Sequence, residues 1–425
     1  MNLSISQMIS TPLEHSSLHK QTCAPEIQRP RVVIIGGGFG GISTAQALAK
    51  AKVDVLIIDK TSQNIFQPLL YQVATATLDA NLISTPITHL LSKQENATFM
   101  LGTVAEIDKI KQRVILSNGE SLPYNYLVVA AGSVYSYYGS ENWEKYAPGI
   151  KKVEDAVRIR QKIFSSFQKA KESQNLSERA KYLRFVVVGG GPTGVELAGA
   201  IAEMVKEHFK CDNKGTSKQA EIMLIQGGNQ LLPGYPQNLS QDACRHLEKI
   251  GVKVLLNSKV TEITDQEVHI GNATKLQTHC TIWAGGNEAP SFLKTLNTPQ
   301  DQYGRVKVKN DLSIPGNSEI FVIGDASLTQ DDQGNSLPSV APVAMQQGNY
   351  VASLISKGTP SLKRPAFKYF DKGKLAIIGK FKAILITGRI QISGLFAWII
   401  WKIVHLWYLS GVRNKFNVFW KWIIN

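Results

Sequence analysis

The stretch RVVIIGGGFGGISTAQALAKAKVDVLIIDK, residues 31–60, determines the fold of this chain. A β-branched run is followed by glycines, by a helix-compatible apolar pattern and by a second β-branched run that ends in Asp59. This order predicts a βαβ unit. Gly36, Gly38 and Gly41 form a G-x-G-x-x-G pattern between strand and helix, which permits a tight turn, backbone approach to a diphosphate and close helix packing. Because Asp59 is placed to accept hydrogen bonds from a ribose, the stretch predicts a dinucleotide-binding unit.

A second unit of the same kind begins at residue 184 with RFVVVGGGPTGVELAGAIAEM and continues at residue 221 with EIMLIQGG. Its motif glycines are Gly189, Gly191 and Gly194. Two dinucleotides are therefore implied. At the end of the partner strand, where an acid would bind the ribose, this chain has Gln226. An acid would repel a 2′-phosphate, whereas an amide donates a hydrogen bond to it, so we expect NADH to be used and NADPH to be tolerated.

Further short β-branched runs alternate with helix-compatible segments between and after these two units. Such alternation is typical of doubly wound parallel sheets, so the predicted fold class is α/β with two Rossmann-like domains and an amphipathic helical region at the C-terminus. Shifts in composition divide the chain into a flexible tail and four further segments, at residues 1–29, 30–150, 151–290, 291–360 and 361–425.

Charge is concentrated at the C-terminal end of the chain. The formal net charge is +14, and residues 361–425 carry twelve Lys or Arg against one acid, Asp371. Five of the seven tryptophans lie in the same segment. Cations combined with tryptophan and aliphatic residues indicate a lipid interface rather than nucleic acid.

The cysteines and histidines exclude several functions. Cys23, Cys211, Cys244 and Cys280 are far apart, and no cysteine follows the first glycine motif on its helix. Chemistry that depends on a pair of redox cysteines, such as disulfide reduction or sulfide oxidation, is therefore disfavoured. The histidines show no metal-ligand spacing, and we expect no metal. The N-terminus has no apolar segment of a secretory signal.

The two glycine motifs, the AAG that ends at Gly132 and the late IGDAS that contains Asp325 resemble the two-dinucleotide-binding flavoprotein family. The resemblance covers residues 31–355 and implies that the first unit binds FAD and that the second, inserted into the first, binds NAD(P)H. The residues it assigns to FAD are Gly36, Gly38, Phe39, Gly40, Gly41, Asp59, Lys60, Val104, Ala131, Gly132, Gly324 and Asp325. Those it assigns to NAD(P)H are Gly189, Gly191, Pro192, Thr193, Gly194, Glu196, Gln226, Ala284, Gly285 and Gly286.

Several separated stretches are similar to the type II NADH dehydrogenases, which are single-subunit NADH:quinone oxidoreductases. They include FQPLLYQVATATL from residue 66, LPSVAPVAMQQGNYVA from residue 337, KLAIIGKFKAI from residue 374 and the Trp-rich C-terminus. The resemblance implies hydride transfer from NADH to FAD and two-electron reduction of a membrane quinone, without proton pumping. It places Glu196 near the nicotinamide and quinone, and Gln346 and Gln347 beside the flavin ring. The residues it places at the quinone are Phe66, Gln67, Pro68, Leu69, Tyr71, Gln346 and Lys374.

Residues 390–412 form a long apolar stretch whose only strongly polar side chains are Gln391, Lys402 and His405. Its length permits a membrane span, but Lys402 would then lie at the bilayer centre, which costs about 2.5–3.5 kcal/mol. Lys402 and His405 share one face of a helix, and further basic residues flank it. We therefore expect a helix pair lying in the membrane plane, with a true span or a dimerisation surface as the alternatives.

The resemblance implies a peripheral protein on the cytoplasmic face of the inner membrane, or of an equivalent energy-transducing membrane. Two other interpretations remain open. A soluble FAD-dependent NAD(P)H reductase of a protein such as a ferredoxin would use the basic C-terminal segment to dock an acidic partner. A non-catalytic flavin-containing signalling or nucleic-acid-binding protein is disfavoured by the intact glycine motifs of both units.

Overall fold

The computed structural model describes residues 29–208 and 219–424. Residues 1–28 of the predicted tail, together with Cys23 and Cys211, lie outside the described residues. The strands, in chain order, are β1 (Arg31–Ile35), β2 (Asp54–Asp59), β3 (Gln63–Ile65), β4 (Ser84–Pro86), β5 (Ala97–Leu101), β6 (Val104–Asp108), β7 (Arg113–Leu116), β8 (Ser121–Pro123), β9 (Tyr126–Val129), β10 (Val134–Tyr135), β11 (Arg184–Val188), β12 (Glu221–Ile225), β13 (Val252–Leu255), β14 (Val260–Ile263), β15 (Glu267–Ile270), β16 (Thr274–Gln277), β17 (Cys280–Trp283), β18 (Asn287–Glu288), β19 (Val306–Lys307), β20 (Ser313–Ile314), β21 (Asn317–Val322), β22 (Ser327–Leu328), β23 (Lys374–Gly379), β24 (Lys382–Thr387) and β25 (Ile390–Gly394).

The α-helices connect these strands. In chain order they are α1 (Phe39–Ala47), α2 (Leu70–Ala74), α3 (Ile87–Leu91), α4 (Val153–Glu172), α5 (Leu176–Tyr182), α6 (Pro192–His208), α7 (Gln237–Lys249), α8 (Ala341–Ser356), α9 (Leu395–Tyr408) and α10 (Val412–Ile424). Short 3-10 turns lie at Gln67–Leu69, Ala80–Leu82, Glu141–Lys145, Ser291–Leu296, Gly324–Ala326 and Ser361–Lys363.

The first large sheet has six strands in the order β20-β21-β9-β1-β2-β5. β1 pairs in parallel with both β2 and β9, and only β20 at the edge is antiparallel to its neighbour. Successive side chains of a strand point to opposite faces, so Val33 enters one buried core and Ile34 another. A sheet covered on both faces explains why its strands are almost wholly apolar.

The second large sheet is fully parallel, in the order β13-β12-β11-β17. Its strands lie between β9 and β20 in the chain, so this unit is inserted into the first. The β10–β18 pair links the two connecting segments. The predicted α/β architecture with two Rossmann-like units is confirmed.

The C-terminal segment contains a sheet that the sequence analysis did not anticipate. β23, β24 and β25 form an antiparallel sheet that packs on α6, where a Cβ added to Gly199 would lie 2.1 Å from the Ile378 carbonyl oxygen. The apolar stretch of residues 390–412 therefore begins as the strand β25, and its helix, α9, has 14 residues. In the described part of the chain, no helix combines the length and apolarity that crossing a bilayer requires.

Candidate functional site

The first glycine loop lies between β1 and α1. Gly36 has φ +105°, and a Cβ there would lie 2.3 Å from the Ala130 carbonyl oxygen. A Cβ at Gly41 would lie 1.8 Å from the Gly36 carbonyl oxygen, whereas a Cβ at Gly38 would meet no atom within 4 Å. The protein thus packs tightly around two glycines and leaves the third open at the start of a helix, which fits a bound diphosphate.

Asp59, at the end of β2, holds this loop. Its Oδ2 accepts a hydrogen bond from the Gly37 N–H at 2.6 Å, and its Oδ1 accepts one from the Thr61 N–H at 2.7 Å. On the other side of the loop, the buried amide of Asn64 donates to the Gly37 carbonyl oxygen at 2.8 Å. Sequence reasoning missed Thr61 and Asn64 because neither belongs to the glycine motif. The predicted cofactor residues Phe39, Gly40 and Lys60 lie within or next to these elements.

The late Gly-Asp segment lies against the end of β9. Asp325 Oδ2 accepts a hydrogen bond from Ser133 Oγ at 2.8 Å. Ser133 directly follows Ala131 and Gly132 in the chain. The Gly324 N–H donates to Gln347 Oε1 at 2.6 Å. The structure therefore brings these predicted cofactor residues, which are far apart in the chain, together at the carboxyl ends of β9 and β21.

The glutamine pair on α8 is held by the protein itself. Gln347 is wholly buried, and its amide joins the Gly324 N–H, through Oε1, to Thr329 Oγ1, to which its Nε2 donates at 2.9 Å. Gln346 makes two bonds of 2.9 Å, to the N–H and the carbonyl oxygen of Phe370. These contacts favour a positioning role for both residues. Val104, also predicted near FAD, is a buried residue of β6.

The second glycine loop repeats the geometry of the first. Gly189 has φ +115°, a Cβ at Gly194 would lie 1.8 Å from the Gly189 carbonyl oxygen, and a Cβ at Gly191 would meet no atom within 4 Å. Gln226 Oε1 accepts a hydrogen bond from the Gly190 N–H at 2.9 Å, as Asp59 does in the first loop. Pro192 and Thr193 are exposed at the start of α6. A second diphosphate fits here, beside a neutral amide.

Two aromatic residues position the loop that contains Ala284, Gly285 and Gly286. Trp283 is buried, and its Nε1 donates to the Ser136 carbonyl oxygen at 3.0 Å. Tyr138 Oη donates to the Gly285 carbonyl oxygen at 2.7 Å, and a Cβ at Gly286 would lie 2.7 Å from that hydroxyl. The loop is thereby tied to the segment that leads out of the first unit.

Glu196 lies one turn into α6 among aromatic side chains. Burial raises its pKa to about 8, and a 3.3 Å hydrogen bond from the Ile377 N–H lowers that pKa by a smaller amount. The Trp401 indole N–H also lowers this pKa as a donor directed at the carboxyl, although none of the described acceptors meets full hydrogen-bond geometry with this buried N–H. At neutral pH, Glu196 is therefore a protonated acid beside the incompletely satisfied N–H donor of Trp401.

The residues predicted to bind quinone pack against the C-terminal helices. Phe66 makes edge-to-face contacts with Phe39 at 5.8 Å and with His405 at 6.1 Å, measured between ring centroids. Tyr71 contacts Trp401 at 6.4 Å. The structure thus brings the first glycine loop, the segment from Phe66 to Tyr71 and α9 into one aromatic cluster.

Other members of this region serve the packing. Trp401 stacks on His405 at 3.7 Å, and burial lowers the pKa of His405 to about 4, so its imidazole is neutral. Gln67 is linked to the start of α4 by a 3.4 Å bond from its Nε2 to the Lys151 carbonyl oxygen. Lys374 Nζ donates to the Gly234 carbonyl oxygen at 2.9 Å. Among the residues that the structure describes, no three His, Cys, Asp or Glu side chains are grouped as metal ligands.

The outer face of α9 and α10 is apolar. The exposed large residues there are Leu395, Phe396, Ile399, Ile403, Trp407, Val412, Phe416, Phe419, Trp420, Ile423 and Ile424. Lys402 is turned away from this face, with its Nζ 3.7 Å from the ring centroid of Trp398 and bonded to the Trp422 carbonyl oxygen at 3.3 Å. An exposed apolar patch of this size is unfavourable in water and is typical of a surface that contacts a membrane or another protein.

Comparisons with known proteins agree with this geometry. The pyridine nucleotide-disulphide oxidoreductase family matches residues 30–348. The chain is 37% identical over 423 residues to a type II NADH:quinone oxidoreductase of Mycobacterium tuberculosis, covering 96% of this chain and 90% of that protein. It is 26% identical to an internal alternative NAD(P)H-ubiquinone oxidoreductase of Arabidopsis thaliana mitochondria, covering 94% and 84%. Its fold matches NDH2 of Plasmodium falciparum in complex with NADH, with a TM-score of 0.85, 22% identity, and coverage of 93% and 98%.

Proposed function

The chain belongs to the type II NADH:quinone oxidoreductases, within the pyridine nucleotide-disulphide oxidoreductase family, and we propose that it passes electrons from NADH through FAD to a quinone held in a membrane. Oxidation of NADH by a quinone is the activity of this family. We further propose that the flavin is FAD, that NADPH is tolerated as a substrate, that the protein attaches to a membrane surface, and that particular residues carry out the reaction.

The observation that carries the proposal is the incompletely satisfied indole N–H of Trp401. It is buried, no acceptor in the described part of the chain meets full hydrogen-bond geometry with it, and it lies beside the protonated Glu196. A buried donor without an acceptor costs about 1–3 kcal/mol, so a ligand oxygen is expected to complete it. A quinone carbonyl supplies such an oxygen, and the surrounding Phe66, Tyr71 and His405 suit an apolar ring.

The residues divide the work between two dinucleotide loops and one acid. Bound FAD would accept a hydride from the nicotinamide and pass two electrons to the quinone. The loop at Gly38 would hold the FAD diphosphate, and the loop at Gly191 that of NADH, each at the start of a helix. Quinone reduction takes up two protons, and we assign the donation of one of them to Glu196, whose carboxyl is protonated at neutral pH.

We propose that the apolar outer face of α9 and α10 lies on the bilayer. The inner face of α9 contacts the Phe66 and Tyr71 segment, while its outer face is exposed. A quinone leaving the lipid would therefore reach Trp401 and Glu196 without crossing water. Basic residues that border this face, such as Arg413 and Lys421, would bind an anionic leaflet on the cytoplasmic side. The same face also suits a homodimer.

The decisive experiment compares electron acceptors for the purified full-length chain. We expect a yellow protein that reduces a short-chain quinone with NADH, and that reduces a ferredoxin far more slowly. A reductase of a protein acceptor would show the reverse order, with ferredoxin reduction suppressed steeply by salt because charged surfaces would do the docking. A colourless protein, or ferredoxin reduction faster than quinone reduction, would overturn the proposal.

Membrane attachment is tested by Ile403→Glu, which places a charge in the apolar outer face. Ile403 is 61% exposed, and an apolar side chain of this size contributes about 1.5–3 kcal/mol when fully buried. We expect binding to anionic vesicles, measured by sedimentation, to fall at least about tenfold. The matched control is Ile110→Glu, which makes the same change at a residue 90% exposed on the β6–β7 turn. Equal vesicle binding of the two variants would contradict the assignment of this face.

Nucleotide choice is tested by Gln226→Glu. The Gln226 amide lies where an acid would contact the ribose, so a carboxylate there would repel a 2′-phosphate and accept hydrogen bonds from a 2′-hydroxyl. We expect kcat/KM for NADPH to fall at least about tenfold while that for NADH is kept or raised. Steady-state rates with each nucleotide measure the change. If the ratio of kcat/KM for NADPH to that for NADH is unaltered, Gln226 does not determine which nucleotide is used.

A further inference from the structure

Lys151 is a mostly buried cation at the edge of the first dinucleotide site. It follows the segment that leaves the first unit, and it lies two residues before Val153, the first residue of α4. Its Nζ donates to Ser133 Oγ at 2.6 Å and lies 3.3 Å from the Ser133 carbonyl oxygen. Ser133 Oγ in turn donates to Asp325 Oδ2 at 2.8 Å. The ammonium therefore lies one hydroxyl away from the Gly-Asp segment assigned to the cofactor.

Among the described residues, the Lys151 ammonium has no carboxylate in direct contact. Within the described ranges, no carboxylate oxygen lies within 4 Å of its Nζ, since Asp325 is reached only through Ser133. Both of its hydrogen bonds go to one residue, and an ammonium has three donors. A buried charge without a direct counter-ion is costly, so an anion from outside the chain is expected here.

Charged groups of both signs lie near Lys151, and one of them is a second cation. Burial lowers its pKa to about 8; Asp325 opposes that change, and the nearby cation Lys60 adds to it. Lys60 directly follows Asp59, which holds the first glycine loop. Two cations on different elements therefore converge on the edge of that loop. A diphosphate carries two negative charges and would satisfy both.

The backbone of Lys151 is fixed before any ligand arrives. Its N–H donates to Tyr135 Oη at 2.5 Å and lies 3.2 Å from Oδ2 of Asp155, which belongs to the first turn of α4. Its carbonyl oxygen accepts a 3.4 Å bond from Gln67 Nε2. Three elements thus fix the main chain at Lys151. Binding of an anion to the ammonium therefore costs little additional conformational entropy.

We propose that Lys151 binds the diphosphate of FAD, as the cation that completes the first dinucleotide site beside Ser133 and Asp325. The inference rests on the proposed use of FAD. It adds a residue outside the glycine motif whose role is to compensate cofactor charge.

The test measures FAD binding to the deflavinated full-length protein by quenching of flavin fluorescence. Lys151→Met should raise the Kd for FAD about tenfold or more, because a charge-assisted contact is lost. Lys151→Arg should keep most of the affinity. The matched control is Lys152→Met, the same change at the next residue, which is exposed; its Kd should stay at the wild-type value. Competition by ADP should weaken in parallel in Lys151→Met, since ADP carries the diphosphate without the flavin ring.

A pH series separates charge pairing from a merely structural role. The titratable groups that face Lys151 are Asp325, Lys60, Tyr135 and Asp155. As pH rises through about 8, the free ammonium loses its proton, so wild-type affinity for FAD should fall. Lys151→Arg stays charged and should lose this pH dependence, as should Lys151→Met, which has no charge to lose.

Each outcome is decisive. Equal Kd values for Lys151→Met and Lys152→Met would overturn the proposal, as would weaker FAD binding with unchanged ADP competition, which would place the ammonium at the flavin ring. If Lys151→Met fails to fold, judged by circular dichroism, the loss of pH dependence in Lys151→Arg still decides. If the wild-type protein binds no FAD, the proposed function fails rather than this inference.

Discussion

Replacing Gly41 with valine should give a protein without flavin, whereas replacing Gly194 with valine should give a flavin-containing protein that NADH no longer reduces. In each loop a Cβ would lie 1.8 Å from a carbonyl oxygen of the same loop, that of Gly36 or of Gly189. Because this oxygen is backbone, the loop itself must shift. A misplacement of about 1 Å is enough to lower activity roughly 100-fold, so we expect at least that loss in both variants.

The two variants are matched controls, since they introduce the same side chain at the same point of the same motif. Flavin content is measured by visible absorbance of the purified proteins, and flavin reduction by bleaching after NADH is added. Gly194→Val should still be bleached by dithionite, which needs no nucleotide site. Loss of flavin from both variants, or NADH reduction of Gly194→Val, would show that the two loops do not bind separate dinucleotides.

The glycine loops could be predicted because the pattern that marks them is local in sequence, although some of their contacts, such as that of Gly36 with Ala130, are not. Gly36, Gly38 and Gly41 are close in sequence, and the turn requires glycine at Gly36 for its positive φ and at Gly41 for the close approach of the Gly36 carbonyl oxygen. Gln226 could be placed for the same reason, since it ends the strand that pairs with β11. Its hydrogen bond to the Gly190 N–H repeats that of Asp59 to the Gly37 N–H.

Lys151 could not be found in this way. It lies 18 residues from Ser133 in the chain, and Ser133 lies 192 residues from Asp325. Only the insertion of the second unit brings the three together, because the chain leaves the first sheet after β9 and returns at β20. A lysine before a helix has no local pattern that distinguishes it from a solvated one.

The C-terminal stretch shows a different limit of sequence reasoning. Residues 390–412 have one continuous apolar composition, yet Ile390–Gly394 pairs with β24 as a strand. Gly394 has φ +97°, which allows the chain to turn from strand into helix. Length and hydropathy do not report such a turn, because the deciding contact is with Ala383 on another strand.

Glu196→Gln should abolish the pH dependence of quinone reduction and lower its rate roughly 100-fold, with reduction of the flavin by NADH unchanged. Burial keeps Glu196 protonated up to a pKa of about 8, so the wild-type rate should fall as pH rises through that value. Glutamine keeps the acceptor for the Ile377 N–H but has no proton to give. Stopped-flow measurement of the two half-reactions separates the steps.

The stability of the wild-type protein should also fall as pH rises, and Glu203→Gln provides the control. The folded pKa of Glu196 is raised from 4.5, so wild-type stability falls as pH rises toward 8, by up to roughly 1.4 kcal/mol per pH unit. Glu196→Gln removes that share of the slope in urea unfolding. Glu203 lies on the same helix, and burial also raises its pKa. Its carboxyl accepts a hydrogen bond from the Lys380 N–H. Glu203→Gln should therefore reduce the slope while quinone reduction stays near wild type; an equal loss of rate in both variants would mean that Glu196 acts through helix packing rather than as a proton donor.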